Sequence, residues 1–439
     1  MSVPASPAVP LLGRVLLIAW VIWLLGAVNY GHAFFQRTNP SAMTDDLMRE
    51  FGVSAAALGN LAAVYMYAYA AMQIPAGVAF DRWGPRAILA GAAATCAIGA
   101  VLFGLAPSIE AAMLGRLLIG AGAGFSFLGA LTLTMIWFPR GRYDVMIGFI
   151  PPVGIAGAVL GQAPFGALVE AVGWRPAMLA TAGLAGLLAC LFWASRRAPA
   201  PHVYAPDGHA EPIRPHLLAG LRRAVHDPQT WLLAVSGGFN AGPFMAFGAL
   251  WAVPWLMQVR GIDRLSATSS ASVILLGLAL GSPIAGWLSN RLRRRKAVLV
   301  GFNGFSLVVW LPLVYWPGLP NAALYLLFVL VGIANAGVLL NFVAARDHAT
   351  TGRSGSASAV VNTFVVGYGA LIMPLVGVLL DINWDGTLVE GVRIFSATAY
   401  ETAFVLLPVS AGVALLASIA LRESHPTRAR GARPGEAMP

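Results

Sequence analysis

Charge is scarce in this sequence. Of 439 residues, 10% are Asp, Glu, Lys or Arg and 58% are hydrophobic. A soluble domain carries about 25% charged residues, so a chain this apolar needs lipid as part of its solvent. Lysine is nearly missing. Lys296 stands outside any Gly-x-x-x-x-Gly-Lys-Ser/Thr context, which excludes a phosphate-cradling loop of the ATPase type. The two cysteines, Cys96 and Cys190, each lie inside an apolar run, so packing is favoured over a disulfide or a metal site. Paired carboxylates, metal-ligand spacing and a nucleophile–base set are all lacking, so neither an enzyme nor a cofactor is expected. A cleavable signal peptide is not evident either. The first apolar run, from about Val15 to Phe35, is long enough to span a bilayer and shows no clear cleavage site.

What is present is a series of long apolar runs. A bilayer-spanning helix needs roughly 20 mostly apolar residues, and twelve such segments are legible. Their approximate spans are 15–38, 55–79, 87–106, 112–137, 145–169, 176–195, 230–257, 267–289, 297–316, 321–344, 357–380 and 400–421. The expected fold class is an all-α membrane protein with two six-helix bundles, 1–195 and 229–422. Between them, Arg196–Pro228 is rich in Pro, His and Arg without apolar periodicity and reads as a cytoplasmic linker. Its histidines (His202, His209, His216, His226) match no tight ligand pattern. Residues 423–439 read as a disordered tail.

Arginine sets the orientation. With both termini cytoplasmic, seven of the 28 Lys and Arg residues fall outside or within the membrane: Arg37, Arg49, Arg116, Arg175, Arg260, Arg264 and Arg393. The others are cytoplasmic, as the positive-inside rule requires. Topology thus accounts for the net charge of +10, and nucleic acid is not an expected partner. A small-molecule substrate, a coupling proton or sodium ion, the lipid bilayer and a monomeric state are expected.

One polar stretch stands between two apolar runs: Gly77-Val-Ala-Phe-Asp81-Arg82-Trp-Gly84-Pro-Arg86. It reads as a tight loop at a membrane face, because Asp81, Arg82 and Arg86 cannot lie in hydrocarbon. A degenerate copy follows the eighth span, at Gly286–Arg295, with Asn290 replacing Asp81. Two halves related as repeats are a transporter architecture, with the site near the midplane. Gly77-x-x-x-Asp81-Arg82-x-Gly84-x-Arg86 resembles the loop signature of the major facilitator superfamily. Leu114-Gly-Arg116-Leu-Leu-Ile-Gly120-Ala-Gly122 resembles that family's fourth-helix motif, and Gly173-Trp174-Arg175 is common there. The resemblance covers Arg14 to Arg422. It implies a secondary transporter of the plasma (inner) membrane working by alternating access. It also implies that Asp81, set against the N-terminus of the eleventh helix near Ser354–Ser358, holds one state closed through the helix dipole. It makes Arg116 a coupling candidate.

Substrate candidates concentrate on helix one. At 100° per residue, Asn29, Tyr30, His32, Gln36 and Arg37 fall within one arc of about 160°. Ionisable groups inside spans usually mark a substrate or ion path, and a guanidinium can grip a carboxylate bidentately; the alternative is that Arg37 marks the helix end. The Arg37–Met43 region resembles organophosphate:phosphate antiporters and anion:cation symporters, and Asn39–Ala42 also resembles the lysosomal dipeptide-type branch. Helix seven lacks the second arginine of the phosphate antiporters, which favours a singly charged organic anion or a zwitterion such as a short peptide. Tyr65, Tyr69 and Gln73 share one face of helix two and either line a cavity or pack. Asn240, Asn335, Asn341 and Asn362 either bind a ligand or bond helices together. His32 titrates in the right range to carry a proton, or serves as a plain hydrogen-bonding group. Gly120–Gly124, Gly157–Gly161 and Gly277–Gly281 are Gly-x-x-x-Gly pairs suited to close helix approach. Competing expectations are a drug or siderophore exporter, loosely supported by Gly161-Gln-Ala-Pro164, and a non-transporting membrane sensor.

Overall fold

Backbone groups in hydrocarbon have no water to bond, so long apolar runs close their hydrogen bonds internally as helices. The computed structural model describes residues 9–138, 140–196, 222–316, 318–348 and 354–424. Among them, twelve helical segments are long and apolar enough to cross a membrane. In chain order these are α1 Leu17–Phe51, α2 Ala55–Trp83, α3 Pro85–Gly104, α4 Ile109–Trp137, α5 Val145–Val172 and α6 Trp174–Ser195. The second six are α7 Pro228–Arg260, α8 Arg264–Leu292, α9 Arg295–Tyr315, α10 Asn321–His348, α11 Ser354–Ile382 and α12 Ala397–Ala420. A two-stranded ribbon, β1 Leu388–Val389 with β2 Val392–Arg393, joins α11 to α12. Most of the expected linker, including His202, His209 and His216, lies outside the described residues, as does the tail beyond 424.

The chain packs as two compact units that cut across the expected six-plus-six division. Unit 1 is Met1–Gln36, Ala68–Ala158 and Arg175–Ala210; unit 2 is Arg37–Tyr67, Val159–Trp174 and Glu211–Pro439. Unit 2 therefore holds one end of α1, α2 and α5 together with all of α7–α12.

Two sequence expectations change. The stretch Gly77–Arg86 is not a loop: α2 continues through Trp83, and the reversal is a single residue, Gly84, at φ +74°. A helix that outruns the hydrocarbon can carry Arg82 into water without unwinding, and the positive φ explains the glycine. The side chain of Asp81 lies outside the described ones. The degenerate copy has the same build: α8 ends at Leu292, Arg293 takes φ +50°, and α9 starts at Arg295. Helix one also does not stop at Thr38. It runs on through a 3-10 turn, Asn39–Met43, into Thr44–Phe51, because Pro40 interrupts the backbone ladder but suits the start of a new turn.

Small residues set the helix spacing. In unit 1, a Cβ on Gly157 would overlap the Gly31 backbone, and one on Gly99 would meet Gly115 and Ile119. In unit 2, Gly277 and Gly281 both abut α10, at Val329 and Ile333, and Gly332 returns the contact. Where neighbouring surfaces are as apolar as lipid tails, such close approach is a main source of association energy.

Candidate substrate path and gate

In unit 1 the polar arc of α1 is buried more deeply than its aromatic neighbours. Asn29, Tyr30, His32 and Gln36 are 5%, 8%, 5% and 0% exposed, whereas Phe34 and Phe35 are half-buried. Tyr30 packs 4.8 Å from the Phe34 ring and 5.3 Å from Phe127 on α4. Gly154 on α5 makes room for it, since a Cβ there would lie 2.6 Å from the ring.

Gln36 gathers the cluster. Its Nε2 donates to Thr181 Oγ1 on α6 at 3.0 Å and stands 3.2 Å from His32 Nε2. Thr181 in turn donates to the Met178 carbonyl. An amide nitrogen has only donors, so His32 Nε2 is the acceptor and the imidazole is neutral in this arrangement. Arg116 is fully buried, and its Nη1 donates to the Gln36 carbonyl at 2.6 Å. The two residues expected to couple transport, His32 and Arg116, thus meet through one glutamine. Tyr69, on α2, is buried in the same unit.

Two other arginines of unit 1 cap helix ends. Arg86 donates to the Ser195 carbonyl at the C-terminus of α6 at 2.6 Å and lies 5.9 Å from the Trp137 ring. Arg175 donates to Gly104 and Ala106 at the end of α3. Cations there meet both orphan carbonyls and the negative end of the dipole. Arg82 is exposed and stacks on Trp83 at 4.9 Å.

In unit 2, Arg37 is half-buried and Tyr65 fully buried. Asn240 donates to Asn303 at 2.6 Å, and Asn303 donates to Ser236 and to the Ala414 carbonyl. Asn240 is thus committed to bonding α7, α9 and α12 together, although its Oδ1 is buried without a hydrogen-bond partner. Asn362 is half-buried on α11. Asn335 and Asn341 are buried, each with a carbonyl oxygen lacking a partner.

Sequence reasoning passed over two features of unit 2. One is Gln162, fully buried where α5 breaks. Its Nε2 donates to the Gly248 carbonyl at 2.7 Å and its Oε1 is unpartnered. Gly248 lies in a π-helical turn of α7, Phe247–Trp251, and such bulges recur at functional sites. The other is Asp381, at the end of α11. Its carboxylate accepts from Ala55 N at 3.0 Å and Ala56 N at 2.8 Å, and pairs with Arg393 at 3.1 Å. Nearby, Arg264 on α8 pairs with Asp46 on α1 at 2.6 Å.

Twelve apolar helices, a buried polar cluster, and helix ends joined across the two halves of the chain define a membrane transport protein rather than an enzyme. The chain belongs to the Major Facilitator Superfamily, whose profile matches residues 22–364 and 235–437. It is 25% identical over 418 residues to the probable sulfoacetate transporter SauU of Cupriavidus necator, covering 89% of this chain and 90% of that one. It is 25% identical over 319 residues to the gentisate transporter of Corynebacterium glutamicum, covering 68% and 67%. The fold matches a bacterial homologue of the human lysosomal transporter Spinster, solved inward-facing and unoccupied. The TM-score is 0.76 at 18% identity, over 92% of this chain and 97% of that one. The protein is an integral protein of the bacterial inner membrane and a secondary transporter.

Proposed function

We propose that the protein moves a small organic anion by alternating access, with Arg37 as its principal recognition group. The observation that carries this reading is a half-buried guanidinium on α1, within a helical segment long and apolar enough to cross a membrane. A cation at such depth gains most from an anionic partner. The second arginine of a two-cation clamp has no counterpart within α7. Its arginine, Arg260, stands at the helix end and donates to Leu319 O and Asn321. One guanidinium suits one carboxylate or sulfonate. Gentisate, in the name of one relative, carries one carboxylate, and sulfoacetate, in the name of another, carries a carboxylate and a sulfonate.

Asn29, Tyr30, His32, Gln36, Tyr65, Tyr69, Asn240 and Asn362 remain candidate contributors to substrate binding. Neutral His32 next to Gln36 gives a proton route: protonation at Nε2 would place two donors face to face, so the Gln36 amide must turn over. His32 and Arg116 are therefore assigned to coupling. Gly77, Asp81, Arg82, Gly84 and Arg86 are assigned to the gate at the opposite end of α2 from Ala55, on the cytoplasmic side with both termini.

The test is uptake into proteoliposomes of a panel of monocarboxylates, sulfonates and dipeptides, with Arg37→Ala beside the wild type. The expected result is uptake of at least one anion, reduced at least tenfold in Arg37→Ala, which corresponds to about 1.4 kcal/mol of lost recognition. Normal anion uptake by Arg37→Ala would show the reading to be wrong. Uptake confined to dipeptides would move the substrate class to zwitterions.

A further inference from the structure

We infer that Asp381 is a clasp at one end of the transporter, the counterpart of Asp81 at the other, and that its release opens that end. The clasp lies at the N-terminus of α2. The first N–H groups of a helix have no partner within it. Here Ala57 N donates to Ser54 Oγ at 3.3 Å, and Leu58 N closes the first turn on the Ser54 carbonyl at 3.1 Å. Ala55 N and Ala56 N are met only from outside the helix, one on each oxygen of Asp381. The carboxylate therefore completes the cap and sits at the positive end of the dipole. Arg393 lies against its Oδ1 and stacks on Trp384 at 4.4 Å, which fixes the carboxylate in place.

Packing at the same point is equally close. A Cβ on Gly377 would overlap the Ala55 carbonyl, and one on Gly59 would overlap Met373 and Pro374. These backbones touch, so the cap cannot loosen without α2 and α11 separating.

The sequence repeats this device. Gly377-Val-Leu-Leu-Asp381 has the same spacing, and the same first two residues, as Gly77-Val-Ala-Phe-Asp81. Each pentapeptide ends its helix, and α2 and α11 are both 29 residues long. Each helix thus carries an aspartate within its last turn, and α2 offers its N-terminus to the aspartate of α11. One helix pair with an acid at each end can be clasped at one end or at the other. The inference rests on alternating access. It makes no use of the substrate assignment, so the two can fail separately.

The experiment is maleimide labelling of a buried reporter in purified protein, in detergent and without substrate. Thr268→Cys on α8 is the reporter: Thr268 is fully buried and faces Gly166 of α5 within unit 2. Native Cys96, buried in unit 1 with its thiol on the Ile119 carbonyl, reports unfolding. Exposed Cys190 is replaced by serine. Asp381→Asn is expected to speed labelling of Thr268→Cys roughly 5- to 30-fold, the change set by losing about one to two kcal/mol of cap, while Cys96 stays protected. Unchanged labelling with Cys96 protected overturns the inference. If Cys96 also reacts, Arg393→Ala decides, because it frees the carboxylate but keeps the acid. Faster reporter labelling there supports the clasp, and an unchanged rate overturns it.

Discussion

Polar contacts within one half of the chain and those between the halves do different jobs. In unit 1, Gln36, His32, Thr181 and Arg116 bond α1, α4 and α6 to one another, all within the first six helices. In unit 2, Asp46–Arg264 and Asp381 with Ala55 and Ala56 join the first six helices to the last six. The first set is buried and dominated by neutral groups. The second is mostly ionic and sits at helix ends, beside one neutral buried bond from Gln162 on α5 to the Gly248 carbonyl on α7. A contact inside one bundle persists through a transport cycle, so it can be built where no water reaches. A contact between bundles must break and re-form, and charges or helix caps near water have a replacement partner when they part. Gln162 apart, chemistry thus separates permanent glue from reversible clasp.

Three experiments sharpen that contrast. The largest effect is expected from Arg116→Ala. It removes a fully buried guanidinium and leaves the Gln36 carbonyl short of a donor. The expected loss is about 2–4 kcal/mol of folded stability, read as a fall in the thermal midpoint in detergent. A clasp residue would not produce such a fall. Next is Gly377→Val, which sets a side chain against Ala55. Overpacking of this kind costs about 1–3 kcal/mol, here only in the state where α2 and α11 touch. Faster labelling of Thr268→Cys, with an unchanged midpoint, is the expected result. The smallest effect belongs to the permanent glue of α7 and α9. A double-mutant cycle of Asn240→Ala and Asn303→Ala is expected to give about 0.6 kcal/mol of coupling, as for other hydrogen bonds between membrane helices.

Much of this was legible in the sequence. Twelve apolar runs predicted twelve helices, because length and hydropathy decide spanning. The Gly77–Arg86 stretch predicted the family. That Asn29, Tyr30, His32 and Gln36 share one arc follows from helical period, but their burial and their partners do not. Thr181 lies 145 residues from Gln36 and carries no signal that sets it apart from other threonines in spans. Gly77–Arg86 differs from the expected loop because charge alone does not end a helix, which can leave the membrane intact. Asp381 was missed for a related reason. It follows a span, where an acid looks like ordinary loop polarity. Its signal is the Gly-Val-x-x-Asp spacing shared with Asp81, a closer match than the copy at Gly286–Arg295.

The central claim, that α2 and α11 part and rejoin through Asp381, is tested most directly by a distance. Spin labels at Glu50→Cys and Asn383→Cys, both exposed sites flanking the clasp, with Cys190→Ser, report it by pulsed electron resonance. The account predicts a short and a long population in the otherwise native chain, and a shift to the long one in Asp381→Asn. Superimposable distance distributions from the two proteins would contradict it.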